Sequence, residues 1–210
     1  RFGIFLASLY MLMARHAEAE ALATNALQRT ATGGKFAKSI HVDALYLLCS
    51  IHERHNRLQE AKDCLNRAEN LAQAARKPTK PQQAGRLLSR VFVDARLGNT
   101  EGAEESIVQA ERLGFGDRLV SFSAHATRAA VLEADGDYEG SRRLFSRVLC
   151  EAVETFGPGH PYTAGVRSDL TEFEKRHGIA QAPRGEQVSI RAASTGLHEP
   201  VVDGESRDLT

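Results

Sequence analysis

The sequence has no excess charge of either sign: 27 Lys and Arg residues stand against 27 Asp and Glu. Without a net field nothing draws the chain onto nucleic acid or an anionic membrane, so neither partner is expected. Cysteine is sparse. Cys49, Cys64 and Cys150 make an odd set without CxxC spacing, which excludes a disulfide framework and reads as reduced thiols of a cytoplasmic protein. Long apolar runs are also lacking. The opening "RFGIFLASLYMLMA" imitates a secretory signal but is too short for a membrane span, and its letters fall into the repeat register described below. The first residue is Arg1 rather than Met, which reads as a piece of a longer chain. No phosphate-binding loop, nucleophile elbow, dinucleotide fingerprint or HExxH occurs, so the expectation is a non-enzyme with no cofactor and no metal.

What is present is an ordinary mixture, 42% hydrophobic and 26% charged over 210 residues, suited to one domain or one repeat array. Four segments align: "LASLYMLMARHAEAEALATNAL" from Leu6, "LCSIHERHNRLQEAKDCLNRAE" from Leu48, "RVFVDARLGNTEGAEESIVQAE" from Arg90 and "RAAVLEADGDYEGSRRLFSRVL" from Arg128. Each has an apolar-periodic half, a turn former, a short polar connector, a small residue and a second periodic half. The turn formers Ala14, Asn56, Gly98 and Gly136 are spaced 42, 42 and 38 residues apart. The small residues Ala19, Ala61, Ala103 and Ser141 repeat the same spacing. A fifth, incomplete copy, "TAGVRSDLTEFEKRHG", places Gly178 in the turn position.

Each copy predicts two amphipathic helices. In the second, Leu45, Leu48, Cys49 and His52 recur at helical spacing, and Leu58, Ala61, Leu65 and Ala68 recur after the Asn56-Arg57 break. One pair cannot bury its apolar face alone. Stacking four pairs and a closing helix buries a continuous strip, which predicts an all-α fold, an α-α superhelical solenoid over residues 1–178. From 179 to 210 helical periodicity stops, and turn formers and small polar residues predict a disordered or weakly ordered tail.

Leu6, Ala7, Leu9, Tyr10, Ala14, Arg15, His16, Glu18, Ala19, Glu20, Leu22, Ala26 and Leu27 follow the order of a tetratricopeptide repeat, which the chain resembles. Gly136, Asp137, Tyr138, Glu139, Ser141, Leu144 and Leu149 repeat that order. "FGPGHPYTA" is similar to the "GPDHPDTA" that enters repeats of the kinesin-light-chain type, whose period of about 42 exceeds the usual length of about 34. HEAT or armadillo helices also suit such a period; the connector with Tyr138-Glu139 and the small residue after it favours tetratricopeptide helices. Asp94 and Glu174 stand where that family usually has an aromatic.

The candidate chemistry is thin. His52 and His55 form HxxH without a recognisable third ligand, and His52 reads as an inter-helix packing residue. Glu18/Glu20, Glu104/Glu105 and Glu151/Glu154 are paired carboxylates on second helices, explained by solvated faces. "GFGDR" at 114–118 reads as a loop in which Gly114 ends a helix. "TFGPGHPYTAG" at 155–165, the most motif-like text in the chain, reads as an inter-repeat turn with Pro161 opening the next helix.

The resemblance implies binding. In that family the first helix of each pair lines a concave surface, placing there Asp43, Tyr46, Ser50, Glu53 and Arg54, then Leu88, Phe92 and Arg96, then Ser123, Ala130 and Glu133, and last Ser168, Glu172, Lys175 and Arg176. The expected peptide-binding set is Tyr46, Glu53, Arg54, Phe92, Arg96, Glu133, Lys175 and Arg176. Arg54, Arg96 and Arg176 share one repeat position, and guanidinium forks beside Tyr46 and Phe92 suit an acidic protein or peptide partner. The Lys/Asn set that clamps chaperone tails in some relatives is not matched. The functional expectation is a non-catalytic scaffold or adaptor. The alternative is a sensor or autoinhibitory domain of a larger NTPase or signalling protein.

Overall fold

The computed structural model describes residues 2–13 and 15–179. Among them the chain forms nine helices and no strand: α1 (Phe2–Leu12), α2 (His16–Thr30), α3 (Lys35–Arg54), α4 (Leu58–Ala72), α5 (Lys80–Arg96), α6 (Ala103–Leu113), α7 (Arg118–Ala134), α8 (Tyr138–Phe156) and α9 (Pro161–Arg176). The protein is all-α, and the helices fall where the repeat reading places them. Ala14, the first turn position, and the tail expected from 179 lie outside the described residues, except Ile179.

The repeat register is written into the backbone. Asn56, Gly98, Gly136 and Gly178 have φ of 54°, 84°, 85° and 62°, and Asn56 is the sole non-glycine at positive φ among the described residues. A left-handed residue after a helix lets the next amide reach back five residues, closing orphan carbonyls of the last turn. That bond recurs at equivalent positions: Arg57 N to His52 O at 2.8 Å, Asn99 N to Asp94 O at 2.9 Å, Asp137 N to Leu132 O at 2.9 Å and Ile179 N to Glu174 O at 2.9 Å. Arg15 N to Tyr10 O, 2.8 Å, supplies the same bond in the first copy. The polar connector therefore stops each first helix in one geometry and aims its second.

Helix starts are set by side chains that accept orphan amides. Thr79 and Gln82 form a reciprocal capping box at α5, Asp117 accepts from Leu119 N and Val120 N, and Asp137 accepts from Gly140 N. Such a cap contributes about 1 kcal/mol. His160 caps α9 through Nδ1, 3.2 Å from Tyr162 N, with Pro161 in the first turn where its missing N–H costs nothing. The same imidazole stacks on Phe156 at 4.8 Å. The histidine of "TFGPGHPYTAG" is thus engaged in ending one helix and starting the next.

Within each hairpin the small residue sets the helix spacing. Ala19, Ala61, Ala103 and Ser141 are all buried, and Ser141 Oγ donates to Ala129 O at 2.8 Å across the α7–α8 seam. Gly114 ends α6, as the sequence reading expects, at φ −97°, while the left-handed residue of that loop is Gly116, φ 83°. Gly114 must lack a side chain because a Cβ there would run into Val120.

Apolar residues collect in successive clusters. One joins α2, α3 and α4 through Ala23, Leu45, Ile51 and Leu65, with Val93 of α5 against it. A second joins α5, α6 and α7 through Leu88, Ile107 and Val120. Two more tie α9 to α7 and α8: Phe145 with Phe173, and Phe122 with Val148 and Val166. Each helix packs against its neighbour in the chain, α1, α3, α5 and α7 also pack in sequence, and α1 meets α9.

Candidate functional site

The three arginines at one repeat position project from the last turns of α3, α5 and α9, which are also the ends where the helix dipole favours cations. Their partners differ. Arg176 is held by Glu133 of α7, with Nη2–Oε1 at 2.9 Å and Nε–Oε1 at 3.1 Å, and His177 Nε2 lies 2.8 Å from the same oxygen. Glu133 is only 11% exposed, and His177 stacks on Tyr138 at 4.2 Å. Arg54 reaches Asp169 of α9 at 3.4 Å, joining α3 to α9. Gly165, one turn before Asp169, leaves space for it: a Cβ there would sit 3.3 Å from Arg54 Nη2.

Arg96 stands apart from the other two. Its Nη2 donates to the neutral Asn56 Oδ1 at 3.1 Å, its guanidinium lies over Phe92 at 5.9 Å, and among the described residues it makes no ion pair. Burial lowers its pKa and Arg176 repels it, while Glu133, Glu53 and Asp169 pull the other way from a distance. The nearby carboxylates respond in kind. Burial pushes Glu53 up to about 7, against a bond from Cys49 and the charge of Arg54. Asp169 is raised by the same loss of hydration, opposed by Arg54, Arg96 and Arg176.

Of the sequence-predicted set, Glu53, Arg54, Arg96, Glu133 and Arg176 therefore come together. Phe92 adjoins them through Arg96. Tyr46 packs against the α2–α4 cluster with Arg86 over its ring at 5.0 Å, and Lys175 is exposed at the end of α9. Leu88 and Ala130, expected on the open surface, are buried in packing between helices instead. Asp169, Asn56 and His177 join the cluster without having been singled out as binding residues. Asn56 was visible as a turn former, whereas nothing in the periodicity of α9 distinguishes Asp169 from Glu172.

Elsewhere the titratable side chains pack among local neighbours, with His52 Nδ1, Arg57 Nε and His125 Nδ1 buried without a hydrogen-bond partner among the described residues. Burial lowers the pKa of His52, helped by Arg57, which favours a neutral imidazole packed between helices. His55 meets His16 edge to face at 5.3 Å. Among the described residues no group of three or more His, Cys, Asp or Glu is placed to hold a metal, and no helix is long and apolar enough to cross a membrane. Cys49 and Cys64 are buried free thiols, and Cys150 is exposed. A cavity of about 450 Å³ lies at the α6–α7 loop, bordered by Gly114, Phe115, Asp117 and Arg118. Phe115 is 94% exposed there, but Asp117 is used as a cap and Glu111 is paired with Arg128 at 2.7 Å. The chain matches no family model, no curated protein and no solved structure.

Proposed function

We propose that the chain is a non-catalytic α-solenoid of tetratricopeptide type that binds an acidic peptide or protein segment on the surface shared by its odd-numbered helices. The observation that carries this reading is Arg96, a partly buried guanidinium whose hydrogen-bond partner is a neutral amide. A desolvated charge without a counter-ion is costly, and proteins keep such groups where a ligand supplies the missing partner. Arg54 and Arg176 on either side add positive potential, and Phe92 offers an apolar wall. Glu53 and Asp169 lie among guanidiniums and serve here as electrostatic neighbours. Cys49 Sγ donates to Glu53 at 3.1 Å, but burial holds that thiol protonated, and the reading assigns no reaction to the site.

The test is fluorescence anisotropy of the full chain with a labelled acidic peptide, comparing the wild type with Arg96→Gln. Loss of a charge-assisted contact in a partly desolvated site predicts binding weaker by about tenfold or more, with helical circular dichroism unchanged. Equal affinity of the two proteins would remove this surface from consideration. The regulatory alternative, a sensor within a larger NTPase or signalling protein, has one observation in its favour. Arg54–Asp169 joins α3 to α9, so a ligand that takes either partner alters the spacing between two distant parts of the array.

A further inference from the structure

The three arginines are unequally neutralised, and the inequality centres on one carboxylate. Glu133 meets Arg176 through two nitrogens and also faces His177, so that end is closed. Asp169 meets Arg54 through a single contact of 3.4 Å, longer than the 2.7–2.9 Å typical of a charge-assisted bond. The Asp169 side chain is 47% exposed, yet Arg54, Arg96 and Arg176 all act on it electrostatically. Its position on α9, one turn beyond Gly165, puts it opposite α3 where the Arg54 guanidinium is admitted against the bare glycine.

A half-exposed pair of this length contributes little to holding the fold, and exposed ion pairs are often worth next to nothing. Its electrostatic consequence for a ligand is larger. Any carboxylate entering beside Arg54 meets the Asp169 carboxyl group already drawing on the same guanidinium. Resting on the reading that this surface binds acidic peptide, we propose that Asp169 is a built-in competitor, a carboxylate of the chain itself occupying the place at Arg54 that a ligand carboxylate takes. It sets the threshold for binding. Segments with one acidic side chain are held off, while segments with several neighbouring carboxylates displace Asp169 and engage both Arg54 and Arg96. Asp169 acts here as a specificity-determining residue for acidic-residue density.

The competitor predicts a gain of function, which a purely structural role would not produce. The full chain is titrated with a fluorescein-labelled hexaglutamate peptide at low ionic strength, using wild type, Asp169→Asn, Asp169→Glu, Arg96→Gln and the double variant D169N/R96Q. Removing one negative charge close to the ligand's position predicts that Asp169→Asn binds about tenfold more tightly. Asp169→Glu, which keeps the charge, stays near wild type, and adding R96Q to D169N abolishes the gain. Asp63→Asn, on the exposed side of α4, changes net charge equally and is expected to leave affinity unchanged. Thermal melts by circular dichroism verify that each variant is folded.

If Asp169→Asn binds like wild type while Arg96→Gln still weakens binding, the competitor is overturned and the acidic-peptide site stands. If Asp63→Asn gives the same gain as Asp169→Asn, a general change of field accounts for both and the competitor is again overturned. If no variant binds the peptide, the site and its competitor fall together.

Discussion

Glu53 shows how one side chain can tie the interior to solution conditions. It sits in the last turn of α3 beside Arg54, accepts from Cys49 Sγ at 3.1 Å, and is pushed up to about 7 mainly by burial. In the unfolded chain the same carboxyl ionises near 4.5. Between those two values the folded state retains a proton that the unfolded state has released. Stability from this group is therefore complete at acidic pH, declines as pH rises, and is lost above about 7. The difference corresponds to an upper bound of about 3 kcal/mol. Glu53→Gln, which keeps the shape and cannot ionise, is expected to unfold at higher urea than wild type at pH 8 and to lie close to it at pH 5. A constant gap between the two proteins across that range would contradict the assignment. Cys49, whose thiol is driven upward by burial and then by the charge of Glu53, is expected to stay protonated throughout.

Between helices, charge pairing replaces the aromatic packing implied by the family resemblance, and does so at matching places. Lys62 meets Asp94 at 3.0 Å and Arg142 meets Glu174 at 3.2 Å. Lys62 and Arg142 each follow the buried small residue of a second helix, and Asp94 and Glu174 each hold the inter-helix position of the next repeat. The junction that carries Leu132 at that position is arranged otherwise, with Glu104 paired to Arg128 at 2.7 Å. These pairs make the departures at Asp94 and Glu174 intelligible, since an acid at the junction is accompanied by a base one helix earlier. Charge exchange tests the pairing: Lys62→Glu alone should lower the urea midpoint, and Lys62→Glu with Asp94→Lys should recover part of the loss, a coupling of about 1 kcal/mol. Helix pairs and turns were legible in the sequence because small residues and left-handed positions recur locally. The junction partners were not, because which base meets which acid 32 residues away depends on the rotation between hairpins.

At the scale of the molecule, that rotation decides what the sequence could and could not disclose. Equivalence of Arg54, Arg96 and Arg176 follows from spacing, but the approach of α9 to α3 and α1 is the sum of small turns at every junction, and no local pattern encodes the sum. Asp169 was unreadable as a site residue for that reason alone. The same serial construction divides the core. The Leu45–Leu65 cluster belongs to α2, α3 and α4 with Val93 at its border, while Phe145, Leu170 and Phe173 belong to α8 and α9 with Ala129 of α7. The described links from α9 to the early helices are α1 against α9 and the long Arg54–Asp169 pair, both weak beside a shared core. Leu65 is fully buried, so Leu65→Ala should cost about 2–5 kcal/mol through lost burial and the cavity left behind. In a serially packed molecule that cost falls on local opening near the cavity. Amide hydrogen exchange is expected to accelerate in α3 and α4 and to remain near wild type in α8 and α9. Equal acceleration in all helices would mean that closure of the odd helices binds the clusters into one cooperative unit, and that the Arg54–Asp169 span contributes far more than its length and exposure imply.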